Sequence, residues 1–133
     1  MSRAHDHLLI GAMLAASCVA PALAHHSFSA EFDGSKSVML TGEVTKLEWA
    51  NPHAYLYLDV KDEAGNVSNW SIELGSPNSL TRLGWKRTTV QVGDRLTVEG
   101  SLGRYKANLA NARSATLLRT GERLGAASSQ GNR

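Results

Sequence analysis

Cysteine is almost missing from this 133-residue chain, and the single one present is Cys18. It lies within an apolar stretch near the N-terminus that has the pattern of a cleavable signal. Once that segment is removed, the domain has no disulfide and no thiol nucleophile, so its hydrophobic core alone must hold it together. The sequence thus excludes the disulfide-stapled class of small domains.

Several signatures of enzymes are also missing. The chain has no serine nucleophile motif and no phosphate loop, and Glu43, Glu48 and Glu73 are scattered along strand faces rather than paired. The net charge is only +2 at pH 7, and charge therefore gives no reason to expect nucleic acid as a partner. We predict that the chain is not an enzyme.

The longest apolar run, residues 8–20, is shorter than the ~20 residues that a membrane span needs. An Ala-Leu-Ala sequence that ends at Ala24 follows it, so we predict a signal peptide over residues 1–24 and His25 as the first mature residue. In the alternative, Cys18 is lipidated and becomes the first residue. We favour cleavage after Ala24, because the leucine before Cys18 lies one place too early for the best lipoprotein motif.

Residues 38–60 carry the clearest secondary-structure pattern. Apolar and polar residues alternate from Val38 to Thr45, which is the period of a half-buried strand. The parity then changes, so we expect a bulge near Lys46. Asn51-Pro52 predicts a turn, because proline fixes φ and donates no hydrogen bond. His53 is therefore predicted to lie at the mouth of a hairpin, just before the second strand.

Three further strands and one helix complete the predicted elements. Alternation recurs at residues 70–74 and 95–99, and residues 112–118 are predicted to be the fifth strand. Ser76-Pro77 predicts a short helix to Leu83. Residues 25–37 are predicted to be an N-terminal arm that docks through its phenylalanines, and residues 119–133 a polar, disordered tail. Inward parity predicts six core residues, which are Leu56, Leu58, Ile72, Leu74, Leu96 and Val98.

Five short strands, with one short helix between strands 3 and 4, predict an all-β domain. We expect a small five-stranded OB-like Greek-key barrel over residues 38–118. The first strand is long and bent, as a strand that joins both halves of such a barrel must be. Gly42 and Gly100 fall where strands coil sharply and a side chain would clash. An immunoglobulin-like sandwich would need about seven strands.

Six stretches of the chain form a recognisable set. They are AHHSFSAEFD from Ala24, LTGEVTKLEWANPH from Leu40, WSIELGSPN from Trp70, LGW from Leu83, VGDRLTVEG from Val92 and NARSATL from Asn111. With this set the chain resembles a family of small exported proteobacterial proteins of unknown function, and the W-x-N-P-H block is the most specific part. The resemblance implies the same OB-like barrel and a periplasmic location. It implies no activity.

Three histidines remain after the signal peptide, namely His25, His26 and His53. A histidine at a free N-terminus can hold a metal ion through its amine and a ring nitrogen, and a second imidazole adds a third nitrogen. Such a nitrogen-rich planar set suits Cu(II). We predict a copper site of His25 and His53, with His26 as a third imidazole or a spare. In the alternative interpretation, the first two are tolerated polar residues and His53 hydrogen-bonds its own turn.

Four aromatic residues on or beside the first three strands, Trp49, Tyr55, Tyr57 and Trp70, define a second candidate site. Aromatic rings on such a barrel can stack on the rings of a partner, although packing is the alternative role for each of them. Two hypotheses for function therefore stand. One is a periplasmic module that binds or carries copper, and the other is an adaptor whose aromatic face holds a protein or glycan partner.

Overall fold

A computed structural model describes residues 27–126, in which the chain is mostly β with two short helices. The elements in chain order are α1 (Phe28–Glu31), β1 (Phe32–Glu48), β2 (Tyr55–Lys61), β3 (Val67–Glu73), α2 (Pro77–Arg82), β4 (Arg95–Gly103), β5 (Leu109–Leu117) and β6 (Arg123–Gly125). The predicted signal peptide with Cys18, then His25 and His26, and residues 127–133 of the predicted tail lie outside the described residues. Within residues 27–126, neither helix is long and apolar enough to cross a membrane.

β1 is the longest strand, with 17 residues, and it pairs with two neighbours. From Phe32 to Glu43 it pairs antiparallel with β4, and its second part pairs antiparallel with β2. The register with β2 shifts between Val44 and Lys46, which confirms the predicted bulge. The extra residue bends the strand and re-aims its last residues towards the turn that leads to β2.

All six strands belong to one sheet, in the order β3-β2-β1-β4-β5-β6. Neighbours in this order are antiparallel. β3 also pairs with β5 in parallel, from Ser71 opposite Leu109 to Glu73 opposite Asn111. This additional pairing places the end of β3 beside the start of β5, and the candidate site is built there.

The six side chains predicted to form the core are all fully buried, with 0% exposure. Leu40 and Val44 of β1 join them, whereas the polar residues that alternate with these two remain exposed. The period of two therefore predicted the inward face of each of these strands correctly.

The two glycines predicted at sharply coiled positions lie where another strand comes very close. A Cβ on Gly42 would lie 2.5 Å from the carbonyl oxygen of Asp59, and a Cβ on Gly100 would lie 1.9 Å from that of Asn111. These are backbone atoms of β2 and β5, so no side chain can rotate away. Only glycine allows these strands to approach as they do.

α2 begins at Pro77, as predicted. Ser76 is the N-cap, and its hydroxyl accepts a hydrogen bond from the backbone N–H of Ser79 at 3.2 Å. The helix ends at Arg82, and Gly84 follows with a positive φ of 96°. The capping residue and the proline thus define this helix locally.

The prediction of five strands is wrong, because a sixth strand lies inside the predicted tail. β6 pairs antiparallel with β5, and Ala126 directly after it is fully buried. The buried indole of Trp85 donates a hydrogen bond to the carbonyl of Gly125 at 2.8 Å. The polar, glycine-rich composition conceals this strand, because contacts distant in sequence hold it in place.

The first strand also begins earlier than the predicted domain boundary at Val38. β1 starts at Phe32, inside the predicted arm, and α1 before it is a single helical turn. Phe32 is buried, and its ring centroid lies 5.5 Å from that of Phe28. Asp33-Gly34-Ser35 is an irregular part of β1, whose register with β4 shifts between Asp33 and Ser37.

Leu58→Ala should lower the free energy of unfolding by about 2–5 kcal/mol, because it removes buried methyl groups and leaves a cavity. Tyr57→Ala is the matched comparison, since Tyr57 has the opposite parity and is only partly buried. We expect Tyr57→Ala to lower the free energy of unfolding by less than Leu58→Ala does. Urea unfolding of both variants measures the difference, and equal losses would contradict this assignment of faces.

Candidate functional site

A groove of about 460 Å³ lies along β2 and β3 on the side opposite the core. Tyr55 and Tyr57 line it, because they alternate with the buried Leu56 and Leu58. The other walls come from the N-terminal turn, from β3 and from the loop after β4, and include Glu31, Phe32, Glu73, Tyr105 and Lys106. The groove thus brings the start of the described chain against β2 and β3.

Glu73 is a carboxyl group buried to 7% exposure in the wall of this groove. Tyr55 lies opposite it on β2, and the phenol donates a hydrogen bond to Oε2 at 2.9 Å. Asn111 lies opposite it on β5 and donates from Nδ2 to Oε1 at 3.2 Å. Each carboxyl oxygen therefore accepts a hydrogen bond, which offsets the cost of burying it.

His53 lies in the loop between β1 and β2, beside the same carboxyl group. Its Nδ1 is 3.2 Å from the carbonyl oxygen of Leu74 and 3.8 Å from Oε1 of Glu73. A carbonyl oxygen can only accept, so this hydrogen bond requires a proton on Nδ1, and the neutral form of the ring that makes it has its lone pair on Nε2. The side chain is 32% exposed. Nε2 is therefore the atom of this ring that can bind a metal ion.

The backbone around His53 explains why its ring is held. Leu74 donates its N–H to the carbonyl of Ala54 at 2.9 Å, and Ala54 donates to the carbonyl of Gly75 at 3.0 Å. These two bonds fix the residue after His53 to the end of β3. The ring therefore hydrogen-bonds Leu74, the residue directly after β3, rather than its own turn, which was the alternative considered from the sequence.

The predicted companions of His53, His25 and His26, lie outside the described residues. Within residues 27–126, no group of three or more histidine, cysteine, aspartate or glutamate side chains is arranged to hold a metal ion. Ser27 directly follows His26, and four residues later Glu31 lines the groove together with Glu73. The three-histidine copper site stays a prediction.

The four aromatic residues of the predicted partner-binding face lie in two different environments. Tyr55 and Tyr57 line the groove, whereas Trp49 and Trp70 are partly buried and pack against the core. Trp70 lies opposite Leu58 and shares its inward face. A further ring in the groove belongs to Tyr105, which is 91% exposed and which sequence reasoning did not select.

An exposed cluster adjoins Tyr57. The phenol donates to Oε2 of Glu48 at 3.3 Å, and the ammonium of Lys46 is hydrogen-bonded to the same carboxylate. Nζ of Lys46 also lies 5.4 Å from the centroid of the Tyr57 ring, which is cation–π distance. The hydrogen bond from Lys46 lowers the pKa of Glu48. The orientation of the Tyr57 ring is thus fixed by charged neighbours.

Tyr55 should make the domain sensitive to alkaline pH. Burial raises the pKa of its phenol well above the ordinary value near ~10, and the neighbouring Glu73 raises it further. The folded protein then keeps a proton that the unfolded chain loses, so stability is full below pH ~10 and falls as the pH rises beyond it.

We expect the free energy of unfolding to fall above pH ~10 in the wild type and to fall less steeply in Tyr55→Phe, which has no such proton. Urea unfolding at a series of pH values measures both slopes. Tyr55→Phe also loses a hydrogen bond to a buried group, so its free energy of unfolding at neutral pH should be about 1–3 kcal/mol lower than that of the wild type. Equal alkaline slopes in the two proteins would show that Tyr55 does not hold this proton.

The described part of the chain is thus a small β-rich domain whose groove is lined by its N-terminal turn and by Glu73, a buried carboxyl group that has Tyr55 and His53 beside it. The chain belongs to DUF6152, a family of unknown function whose model matches residues 13–111. The resemblance to a family of unknown function is confirmed in this respect, and the exported, proteobacterial origin stays a prediction. No curated protein and no solved structure matches the chain.

Proposed function

We propose that this protein is a periplasmic OB-like module that binds or carries copper through the mature N-terminal His25 and through His53, with His26 as a third imidazole or a spare. The observation that carries the proposal is the fixed ring of His53. Its Nδ1 donates to the carbonyl of Leu74 at 3.2 Å, so Nε2 keeps a lone pair on a partly exposed side chain. Metal-bound histidines commonly use their second ring nitrogen in this way, and the hydrogen bond fixes the orientation of the ring.

The position of the N-terminal turn supports the pairing of His25 with His53. α1 begins at Phe28, and Glu31 at its end lines the groove that Glu73 also lines. Glu73 in turn lies 3.8 Å from the ring of His53. The two residues before Ser27 add about 7 Å of reach when extended. This reach is the basis on which we propose that His25 binds the same ion as His53.

The chemistry of the donors favours Cu(II) over the common oxygen-seeking cations. A free amine and neutral imidazoles supply nitrogen ligands, whereas Ca²⁺ and Mg²⁺ prefer oxygen. Glu31 and Glu73 add negative charge to the groove against the positive charge of Lys106. Such a field attracts a divalent cation towards the site.

The strand pairings support an OB-like Greek-key barrel as the scaffold of this module. They run from β1 to β2, from β2 to β3, from β3 to β5, from β5 to β4, and from β4 back to β1. A circuit of this kind would leave no free edge among the five main strands, and the short α2 follows the third of them. β6 then extends the sheet beside β5.

An adaptor that holds a protein or glycan partner without metal is the alternative. The groove supports it in one respect, since Tyr55, Tyr57 and Tyr105 all line it. Tyrosine is enriched where proteins contact one another, because its ring is large and its hydroxyl tolerates water. Neither proposal includes catalysis.

His53→Ala tests the proposal directly. In the protein that begins at His25 it should weaken Cu(II) binding at least tenfold (about 1.4 kcal/mol), because one imidazole ligand is lost while the amine and ring of His25 remain. His26→Ala is the matched control and should change the affinity little. Isothermal titration calorimetry at pH 7 measures both. A large loss in both variants would favour a plain three-imidazole cluster, and no loss in His53→Ala would exclude His53 as a ligand.

A further inference from the structure

The turn α1, which is the first element of the described residues and lines the groove, is too short to be stable by itself. It has four residues, and its N-cap, Ser27, makes no side-chain capping hydrogen bond. Even isolated helices of several turns are marginal in water. Contacts from outside the turn must therefore determine where it lies.

Arg104, the first residue after β4, supplies two of these contacts. Its backbone N–H donates to the carbonyl of Glu31 at 2.8 Å, and its side-chain Nε–H donates to the carbonyl of Ser29 at 2.8 Å. The last carbonyls of a helix have no partner within the helix, and a cation is favoured at that end. Arg104 therefore satisfies carbonyls that a single helical turn cannot satisfy itself.

The same guanidinium also contacts the start of β1. Its Nη1 lies 3.5 Å from Oδ2 of Asp33, just after the buried Phe32. An arginine can make both contacts because its planar group presents several N–H donors in a fixed fork, whereas a lysine presents a single nitrogen. Arg104 thus joins α1, the start of β1 and the end of β4.

We infer that Arg104 is a positioning residue for the proposed metal site, since it holds α1 against the domain and the proposed ligand His25 precedes α1 by only three residues in the sequence. The inference rests on the proposed copper function. Arg104 acts through α1 and is not a ligand. Without it the N-terminal segment must be ordered when the metal binds, and this loss of conformational entropy lowers the affinity.

Arg104→Ala, in the protein that begins at His25, should bind Cu(II) about tenfold more weakly than the wild type, as is typical for loss of a supporting contact. Arg104→Lys keeps the charge but lacks the forked arrangement of N–H donors. Its affinity for Cu(II) should lie between those of the wild type and Arg104→Ala. Arg123→Ala is the matched control, because Arg123 is also an exposed arginine with a carboxylate partner, Glu99 at 3.2 Å, but lies on β6. It should leave the affinity unchanged.

Amide hydrogen exchange of Ala30 and Phe32 in the metal-free protein gives a second measurement that does not depend on copper. Both amides donate within α1, to Ser27 and Phe28, so a loosened turn should exchange them faster in Arg104→Ala and not in Arg123→Ala. Faster exchange together with weaker Cu(II) binding supports the inference.

Faster exchange with unchanged Cu(II) binding would overturn the inference and leave the copper site standing, and so would unchanged exchange. If Arg104→Ala unfolds, the same two measurements on Arg104→Lys decide. A wild-type protein that begins at His25 and does not bind Cu(II) would overturn the proposed function, and the inference with it.

Discussion

Gly100→Ala should destabilise the domain by more than about 4 kcal/mol, although it adds only one methyl group. The new Cβ would lie 1.9 Å from the carbonyl oxygen of Asn111 and 2.8 Å from its carbonyl carbon, far inside contact distance. Both atoms belong to the backbone of β5, so relief requires the strand itself to move. Because whole domains are stable by only about 5–15 kcal/mol, this loss is a large fraction of the total stability.

Gly34→Ala is the matched control for this substitution. Gly34 lies in β1 of the same sheet, and the nearest atom to its new Cβ would be Cε1 of Phe28 at 3.6 Å, an ordinary contact. Both substitutions lower the entropy of the unfolded chain alike, worth about 0.4–1 kcal/mol, so their difference isolates the clash. Urea unfolding compares them, and similar stabilities would contradict the close approach of β4 and β5 at Gly100.

Features that depend on a few neighbouring residues could be predicted from the sequence. The faces of β2, β3 and β4 follow from the period of two, which assigned Leu58 to the core and Tyr57 to the opposite side. The bulge near Lys46 follows from a change of parity, and the start of α2 follows from Ser76 and Pro77. In each case the physical cause lies within the segment itself.

The surroundings of Glu73 could not be predicted, because they depend on a pairing between distant strands. By parity Glu73 faces away from the core and should be exposed, yet it is buried because β5 pairs with β3 and brings Asn111 beside it. A charged residue between two core residues, Ile72 and Leu74, is the ordinary pattern of a half-buried strand. The sequence therefore contains no signal that Glu73 is buried.

For His53, too, one property could be predicted from the sequence and another could not. Its place after Asn51-Pro52 could be predicted from local chemistry. Its tautomer could not, because the carbonyl that fixes it belongs to Leu74, 21 residues further along the chain. Trp85 and β6 provide a parallel case, since the indole bonds Gly125 across 40 residues and composition alone suggested a disordered tail. Both the tautomer of His53 and the strand β6 thus depend on long-range contacts, which is why neither could be predicted.

A protein that carries any residue before His25 should bind Cu(II) at least 100-fold more weakly (about 2.8 kcal/mol) than the protein that begins at His25. The proposed clamp requires a free amine, whose ordinary pKa near ~7.7–8 lets it lose its proton near neutral pH. An added residue converts this amine to an amide, which must lose a far less acidic proton before it can coordinate. Processing and metal binding are therefore coupled in the proposal.

His53→Ala provides the matched comparison for the extended and mature forms. If the amine of His25 and the ring of His53 bind the same ion, removing His53 should matter less once the amine is blocked, because groups that share a ligand are not additive. Binding by the mature form should also fade as the pH falls through ~6, since protonated imidazole has no lone pair to offer. Calorimetry at pH 7 and pH 5 measures each of these. Should the extended and mature forms bind equally, or the mature form bind no tighter than ~10 μM (about 7 kcal/mol), the copper proposal fails and the adaptor takes its place.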